Sequence, residues 1–345
     1  MLSLENNICG DSSYSTRAVQ KERAMSEHDF HVVLGASGGV GNAVVRELVA
    51  QGKRVRGVTR SGKANVPADV EMVAADISNL DQARAVCRDA SVAYFCANPA
   101  YDRWPQEFPP LLEGAIAGAS AAGAKLIAAA NLYVYAPPTQ PLTEEMPWKP
   151  FTRKGKVRAA MDERLLAAHR SGEVQAAIGR ASDFFGPGAL NSSVLGERFF
   201  DALLAGKSVQ WIGRVDVVHT HSYIDDFGRG LVTLGTREEA LGQSWHIPAA
   251  EPLTGHEFLK MVFEEAGMQG KITRVTPTML RLVGLFNPLA REVLEMAYEF
   301  EQPFIMDGAK FTRAFGGAPT AHLEAVRQTV AWFKARQQTR AAAGA

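Results

Sequence analysis

The residues of this chain with the clearest chemical use form one run, Gly35-Ala36-Ser37-Gly38-Gly39-Val40-Gly41. Three of its glycines fall in a G-x-x-G-x-x-G spacing, directly after the short apolar run Phe30-His31-Val32-Val33-Leu34. Val40, Val44, Leu48 and Val49 then recur at helical spacing, and Gly52 closes the helix. Each glycine answers a physical need: a tight turn, close approach of backbone to a pyrophosphate, and contact between helix and strand. The bound anion would meet the helix N-terminus, where unpaired N–H groups and the macrodipole favour negative charge. The plainer alternative is a structural glycine-rich loop.

The end of the second strand bears on which dinucleotide fits. An Asp or Glu at that place accepts from a ribose 2′-OH. The sequence there is Val58-Thr59-Arg60-Ser61-Gly62-Lys63, with no acid. Arg60, with Lys63 and Ser37, suits a 2′-phosphate, so NADP(H) is expected ahead of NAD. Both cations also fit a solvated loop. Asp76 follows the third strand, where it would accept from an adenine amino group or serve as a cap or turn residue.

Around these residues strand and helix alternate. Strands are expected at residues 30–34, 53–58, 70–74, 91–97, 125–130 and 175–180, with helices at 110–122 and 154–170. Strands joined by helical crossovers imply an α/β fold, a Rossmann-type doubly wound parallel sheet covered on both faces. After Phe185 the break Gly186-Pro187-Gly188 introduces a looser region. Helices are expected there at 195–205, 255–266, 289–298 and 320–336, and strands at 209–212, 219–224 and 244–248. The division that follows is a leader at 1–28, a nucleotide-binding domain at 29–185 with a returning segment 217–248, a smaller C-terminal α/β substrate-binding region from 186–216 and 249–336, and a flexible tail at 337–345.

The chain has 345 residues, enough for one large domain and a smaller one. Lys plus Arg and Asp plus Glu number 37 each. That balance favours a small-molecule partner over nucleic acid or an anionic membrane. No apolar run approaches the roughly 20 residues needed to span a bilayer. Cys9, Cys87 and Cys96 are odd in number and far apart. They suggest neither a disulfide framework nor a zinc site, and a reducing, cytoplasmic setting is expected. His219-x-His221 lacks a neighbouring cysteine or acid of suitable spacing, so no metal is expected.

Asn131-Leu132-Tyr133-Val134-Tyr135, Asp183-Phe184-Phe185-Gly186-Pro187-Gly188, Tyr223-Ile224-Asp225-Asp226 and Asp307-Gly308-Ala309-Lys310 join the glycine turn and Asp76 in a larger pattern. Together they resemble the extended short-chain dehydrogenase/reductases, a group that includes the NAD-dependent epimerase/dehydratases of nucleotide sugars. The resemblance runs from Phe30 to about Phe333. It implies a nicotinamide cofactor held by Gly35, Ser37, Gly38, Gly39, Val40, Gly41, Arg60, Lys63, Asp76, Ile77, Ala97 and Asn98. It also implies a substrate pocket near Tyr101, Trp104 and Asp183, with Arg103 beside it and Arg180 fixing the loop by the nicotinamide. A homodimer is common in the group.

The catalytic positions depart from that pattern. Members carry Ser or Thr four residues before the Tyr of a V-Y-G segment, and the matching residue here is Asn131. Members carry Tyr-x-x-x-Lys at the start of the next long helix. Lys154 and Arg158 stand in those two places, one helical turn apart. Three substitutes for the missing phenol follow. Lys154 could exchange the proton, Tyr133 could supply a phenol, or Asn131 and Arg158 could polarise a carbonyl while water completes the transfer. Arg158 paired to Asp162 on a solvated face is the plain reading of the same helix.

Residues 186–214 and those after Pro248 would cover the substrate. Arg198, Lys207 and Arg214 would suit a diphosphate, while Phe199, Phe200, Trp211, Phe286 and Phe300 would suit a less polar molecule. The resemblance implies an NADP(H)-dependent oxidoreductase of the epimerase/dehydratase group, acting on a carbonyl or hydroxyl of a small molecule, either nucleotide-sugar-like or less polar. The alternative is a non-catalytic NADP(H)-binding sensor that has lost the tyrosine.

Overall fold

The computed structural model describes residues 30–190 and 193–344, with side chains through residue 342. The leader and Cys9 lie outside the described residues. In chain order the strands are β1 Phe30–Leu34, β2 Arg54–Thr59, β3 Glu71–Ala74, β4 Val92–Phe95, β5 Lys125–Asn131, β6 Gln175–Ala181, β7 Asp183–Phe185, β8 Val209–Ile212, β9 Val218–His219, β10 His221–Tyr223, β11 Ser244–His246, β12 Leu253–Thr254 and β13 Ile272–Val275. The helices are α1 Gly39–Ala50, α2 Leu80–Cys87, α3 Trp104–Ala122, α4 Arg153–Arg170, α5 Glu197–Leu204, α6 Ile224–Thr236, α7 Gly255–Ala266, α8 Pro277–Val283, α9 Pro288–Met296, α10 Ala309–Phe315 and α11 His322–Gly344.

Seven strands form one sheet in the order β11-β6-β5-β4-β1-β2-β3, and every pairing in it is parallel. The strand residues alternate between two cores. Val32, Leu34, Ala93, Phe95, Leu126 and Ala128 face α2, α3 and α4. Val33, Val92, Tyr94 and Ile127 face α1 and α6. Burial on both faces explains why these strands read as continuous apolar runs. The chain leaves β1 toward β2 on one side and reaches β4 on the other. The C-terminal ends of β1 and β4 therefore flank the switch point, where open α/β sheets bind ligands.

The returning segment supplies β11, which pairs with β6, and α6, which packs on α1. A separate core joins α5, α7, α11 and β8 through Phe199, Phe200, Trp211, Phe258, Val326 and Phe333. Three two-stranded pairs, β7 with β10, β9 with β12 and β8 with β13, sit outside the large sheet. Among the described residues no helix is long and apolar enough to cross a membrane.

Several boundaries differ from expectation. Helix α3 starts at Trp104, well before residue 110, and carries Pro109 and Pro110 inside it. The expected strand 219–224 divides into β9 and β10, and α6 starts at Ile224. Asp225 and Asp226 therefore sit inside the first turn of α6. Asp226 accepts from the Thr320 N–H at 2.7 Å and its hydroxyl at 2.6 Å, while Asp225 pairs with Arg46. Helix α11 continues past residue 336 to Gly344, because Arg336 and Arg340 both reach Glu197 at 2.9 Å.

His246 is fully buried at the end of β11. Its Nε2 accepts from the Tyr135 hydroxyl at 2.9 Å and its Nδ1 lies 3.1 Å from the Asp307 carbonyl, a pattern that a neutral ring satisfies. Burial, reinforced by the Arg180 charge, lowers its pKa from 6.5 to about 3. The unfolded chain then binds the extra proton throughout that window. Stability is complete above the unfolded value and declines as pH falls through it toward the folded one. Denaturant melts should show a loss of about 2–3 kcal/mol between neutrality and pH ~4.5 that His246→Gln largely removes. An unchanged slope in the variant would assign the acid sensitivity elsewhere.

Candidate functional site

The glycine turn is shaped as its spacing demands. Gly35 has φ +97, and a Cβ there would meet the Ala97 nitrogen at 2.6 Å, so the turn presses on the end of β4. A Cβ on Gly41 would strike the Gly35 carbonyl, so α1 can approach β1 only with glycine at that place. Gly38 is the N-cap of α1. It provides no side-chain cap, and the first turn contains no acid. The N–H groups of that turn, with the positive end of the helix, are left to an anion. Gly39 packs against the Gly188 carbonyl, where a Cβ would come within 2.8 Å. The break at 186–188 thus folds over the same turn. This geometry fits a dinucleotide diphosphate.

At the end of β2, Gly62 has φ +68 and the Thr59 hydroxyl accepts from the Lys63 N–H at 3.1 Å. The turn presents Arg60 and Lys63 to solvent at the C-terminal end of β2. Asp76 spends its Oδ1 on the Ser78 N–H at 3.0 Å and the Ser78 hydroxyl at 2.7 Å. Those two bonds, helped by the Arg60 charge, hold its carboxyl below the ordinary value. Asp76 therefore serves as a turn residue, which leaves its second oxygen for any adenine contact. Ile77 is buried beside it, and Asn98 is exposed past β4.

The expected catalytic and substrate residues converge at the C-terminal ends of β4 and β5. The Tyr101 and Tyr133 hydroxyls lie 3.0 Å apart. Trp104 stacks on Tyr133 with ring centres 6.1 Å apart and meets Tyr101 edge-on at 5.0 Å. It is 2 % exposed and donates to the Pro99 carbonyl, so it supports the tyrosines from within the core and does not line a pocket. Burial pushes the phenols of both tyrosines upward. For Tyr133 the proximity of Tyr101, Glu299 and Asp183 adds to the rise. These hydroxyls are consequently donors, and the buried site disfavours a phenolate.

Arg158 does not pair with Asp162 in the way the helical spacing suggests. Its guanidinium lies over Trp104 at 5.0 Å and Phe108 at 4.5 Å. Asp162 is 2.8 Å from Arg180 instead. Both Asp162 and Arg180 are buried, and Arg180 also donates to the Asn131 carbonyl at 2.9 Å and Ser244 at 2.8 Å. It thus ties β5, α4 and β11 together beneath the site. Asn131 turns its side chain onto the Tyr133 N–H at 3.2 Å, where it shapes the loop that carries the phenol.

Lys154 is nearly fully buried, with its ammonium over the Tyr101 ring at 4.4 Å. Two acids hold it, Glu292 and, at 3.0 Å, Glu295, both from α9. Burial works against the Glu295 carboxylate, yet Lys154 and the N–H groups of 153 and 154 outweigh it and keep its pKa low. The sequence reading missed these acids. Their signal was the run Glu292, Glu295, Glu299 at spacings of three and four, which puts all three on one helical face.

Next to this cluster the Asp183 carboxylate accepts from His219 Nε2 at 2.8 Å. The His219 ring lies between Phe300 at 5.2 Å and Phe304 at 5.4 Å, and 5.1 Å from His221. Among the described residues no group of three or more His, Cys, Asp or Glu could hold a metal. Arg198 and Lys207 are exposed, and Arg214 is tied to Asp216 at 2.6 Å. Phe199 and Phe200 are core residues and Phe286 is exposed, which leaves Trp211 and Phe300 near Asp183. Cys87 and Cys96 are buried, and burial raises both thiols to about 12.

A parallel sheet of this order, with a glycine turn at its switch point, defines a Rossmann-type dinucleotide-binding enzyme fold. Residues 31–247 match the model of the NAD dependent epimerase/dehydratase family. The chain belongs to that family of NAD(P)-dependent oxidoreductases.

Among curated proteins it is 25% identical to a dTDP-glucose 4,6-dehydratase of Streptomyces griseus over 55% of this chain, and spans 52% of that relative's length. It is also 25% identical to a dTDP-6-deoxy-L-talose 4-dehydrogenase (NAD(P)(+)) of Kitasatospora kifunensis, over 70% of this chain and 81% of that one. A solved dTDP-glucose 4,6-dehydratase of Streptomyces venezuelae with NAD bound superposes with a TM-score of 0.73 at 19% identity, covering 89% of this chain and 98% of the other. A UDP-glucuronic acid 4-epimerase of Bacillus cereus, in complex with UDP-glucuronic acid and NAD, gives 0.71 at 17%, covering 89% and 99%.

Proposed function

We propose that this chain is an NADP(H)-dependent oxidoreductase acting on a carbonyl or hydroxyl group of a small molecule in a reducing compartment. The observation that carries the reading is the uncapped N-terminus of α1 at the switch point, with the hydrogen-bonded Tyr101–Tyr133 pair at the ends of the neighbouring strands. When bound, the dinucleotide would supply a hydride to a carbonyl or accept one from a hydroxyl. Gly35, Ser37, Gly38, Gly39, Val40 and Gly41 would hold its diphosphate, with Ala97 and Asn98 alongside. Arg60 and Lys63 would take the 2′-phosphate.

Tyr133 then stands in for the missing Tyr-x-x-x-Lys phenol. Its hydroxyl is kept protonated by burial and by nearby acids, so in carbonyl reduction it would hydrogen-bond the carbonyl oxygen and pass its proton to the alkoxide formed, with a proton from water restoring it through the Tyr101 hydroxyl. Arg158 lies within the same aromatic cluster and Asn131 fixes the loop. Lys154, gripped by Glu292 and Glu295, positions Tyr101 through its ring face. NADPH absorbance followed over a panel of ketones and enones tests the reading, and turnover of any of them supports it.

The second reading, a non-catalytic sensor, is favoured by that grip. A lysine fixed to α9 reports the position of this helix as readily as it serves a reaction. NADPH binding without turnover across the panel would select it.

The cofactor preference has its own test. Arg60→Ala with Lys63→Ala should weaken NADPH binding about 10- to 100-fold, as expected for loss of charge-assisted phosphate contacts, and leave NADH within about twofold. Equal losses for both dinucleotides would show that these cations do not read the 2′-phosphate.

A further inference from the structure

We propose that the hairpin formed by α8 and α9 docks this chain on the surface of an anionic lipid bilayer. The hairpin carries Met279, Leu282, Val283, Leu285, Phe286 and Leu289, all exposed. Phe286 is 91% exposed and Leu285 70%, at the turn between the two helices. Met279, Leu282, Val283 and Phe286 follow one another at spacings of three, one and three, which puts them on one helical face. The opposite side of α8 is apolar as well, because Leu280 packs with Ala290 and Ala297 in a small core. A helix that is apolar on both sides is ordinarily covered on both. An exposed apolar patch of this kind on a folded chain marks an interaction surface.

The patch is carried on well-built elements. The Thr276 hydroxyl accepts from the Met279 N–H at 3.3 Å and caps α8. The Asn287 side chain accepts from the Leu289 and Ala290 N–H groups at 2.9 and 3.3 Å and caps α9. Further along α9, Glu292 and Glu295 hold Lys154, and strand β13 ties the start of the hairpin to β8. The apolar side chains are therefore presented outward by a hairpin anchored to the rest of the fold.

Charge selects the occupant. Residues 271–291 contain four cations, Lys271, Arg274, Arg281 and Arg291, and no acid. All four are exposed, and only Arg274 has an acid partner among the described residues, Glu301 at 3.5 Å. The paired strand β8 contributes no acid, and exposed Lys207 precedes it. The first acids that follow, Glu292 and Glu295, are engaged by Lys154 and Arg153. The even charge of the whole chain thus conceals a local positive excess around an apolar surface. Leucine and phenylalanine side chains flanked by arginine and lysine suit the boundary between acyl chains and anionic headgroups, which needs no spanning helix. A second copy fits less well. In a two-fold contact the same patch meets itself, and the cations of each chain would face those of the other with no acid to offset them. Docking by this hairpin would also set α9, and with it the Lys154 clamp, beside the bilayer.

The test is flotation of the full chain with sealed vesicles of phosphatidylcholine alone and of phosphatidylcholine mixed in equal parts with phosphatidylglycerol. Binding to the mixed vesicles is expected to be about tenfold or more the stronger, and to weaken as salt is raised. Leu285→Ser with Phe286→Ser should weaken it about tenfold or more, because the apolar contact is lost. Arg281→Glu with Arg291→Glu should abolish the preference for the anionic lipid. All four side chains are exposed, so both double variants should keep the wild-type melting temperature, which is measured alongside. Absence of the chain from both floated vesicle fractions, or flotation unaltered in the serine variant, would overturn the proposal. So would sedimentation equilibrium showing a dimer that the serine variant dissociates, since a second copy would then be the occupant of the patch.

Discussion

Tyr133→Phe is expected to slow turnover about 10²- to 10⁴-fold, the range typical of losing a positioned proton donor, while NADPH affinity stays within about twofold. The removed oxygen is the one that meets Tyr101 at 3.0 Å, and the ring that remains still stacks on Trp104. The aromatic core therefore keeps its shape, and the variant isolates the hydroxyl. Tyr101→Phe should cost less, because Tyr101 acts on the substrate through Tyr133. The measurement is single-turnover oxidation of NADPH, with binding followed separately by fluorescence. Wild-type rates in Tyr133→Phe would remove the phenol from the mechanism.

The second large effect concerns stability. Asp162→Ala leaves the Arg180 guanidinium buried without a counter-charge, and the expected loss is about 3–5 kcal/mol. The double variant Arg180→Met with Asp162→Leu should be less destabilised than the single one, although the Asn131 carbonyl then loses its donor at a cost of about 1–3 kcal/mol. Urea melts decide the matter. A single-variant loss below about 1 kcal/mol would mean that water or relaxation reaches Arg180, against its complete burial in the fold. Since Arg180 joins β5 to β11 directly under Asn131, the same melts report how firmly the site's floor is built.

How far the sequence revealed this structure depends on the range of the interactions. Strand β1, the glycine turn and α1 were legible because their signals are local: an apolar run, three glycines and a 3.6-residue period. The start of α3 was not. Pro109 and Pro110 read as helix breakers, yet Trp104 and Phe108 pack so deeply that the helix tolerates the lost amide donors. Helix α2 is short and was not foreseen.

At the site, Tyr101, Tyr133, Lys154 and Arg158 were nameable from their positions in a known pattern. Their partners were not. Glu292 and Glu295 are separated from Lys154 by more than half the length of the nucleotide-binding domain, and only the packing of α9 brings them to it. Similarly, Arg158–Asp162 is the pair that helical spacing offers. The fold overrides it because Arg180, on the adjacent strand, reaches Asp162 in the interior.

Everything about the reaction depends on the anion site at the mouth of α1. Calorimetric titration of the purified chain with NADPH and NADH tests it most directly. Saturable NADPH binding in the micromolar range, at least about tenfold tighter than NADH, is the expected result. No heat from either dinucleotide at millimolar concentration would contradict the account.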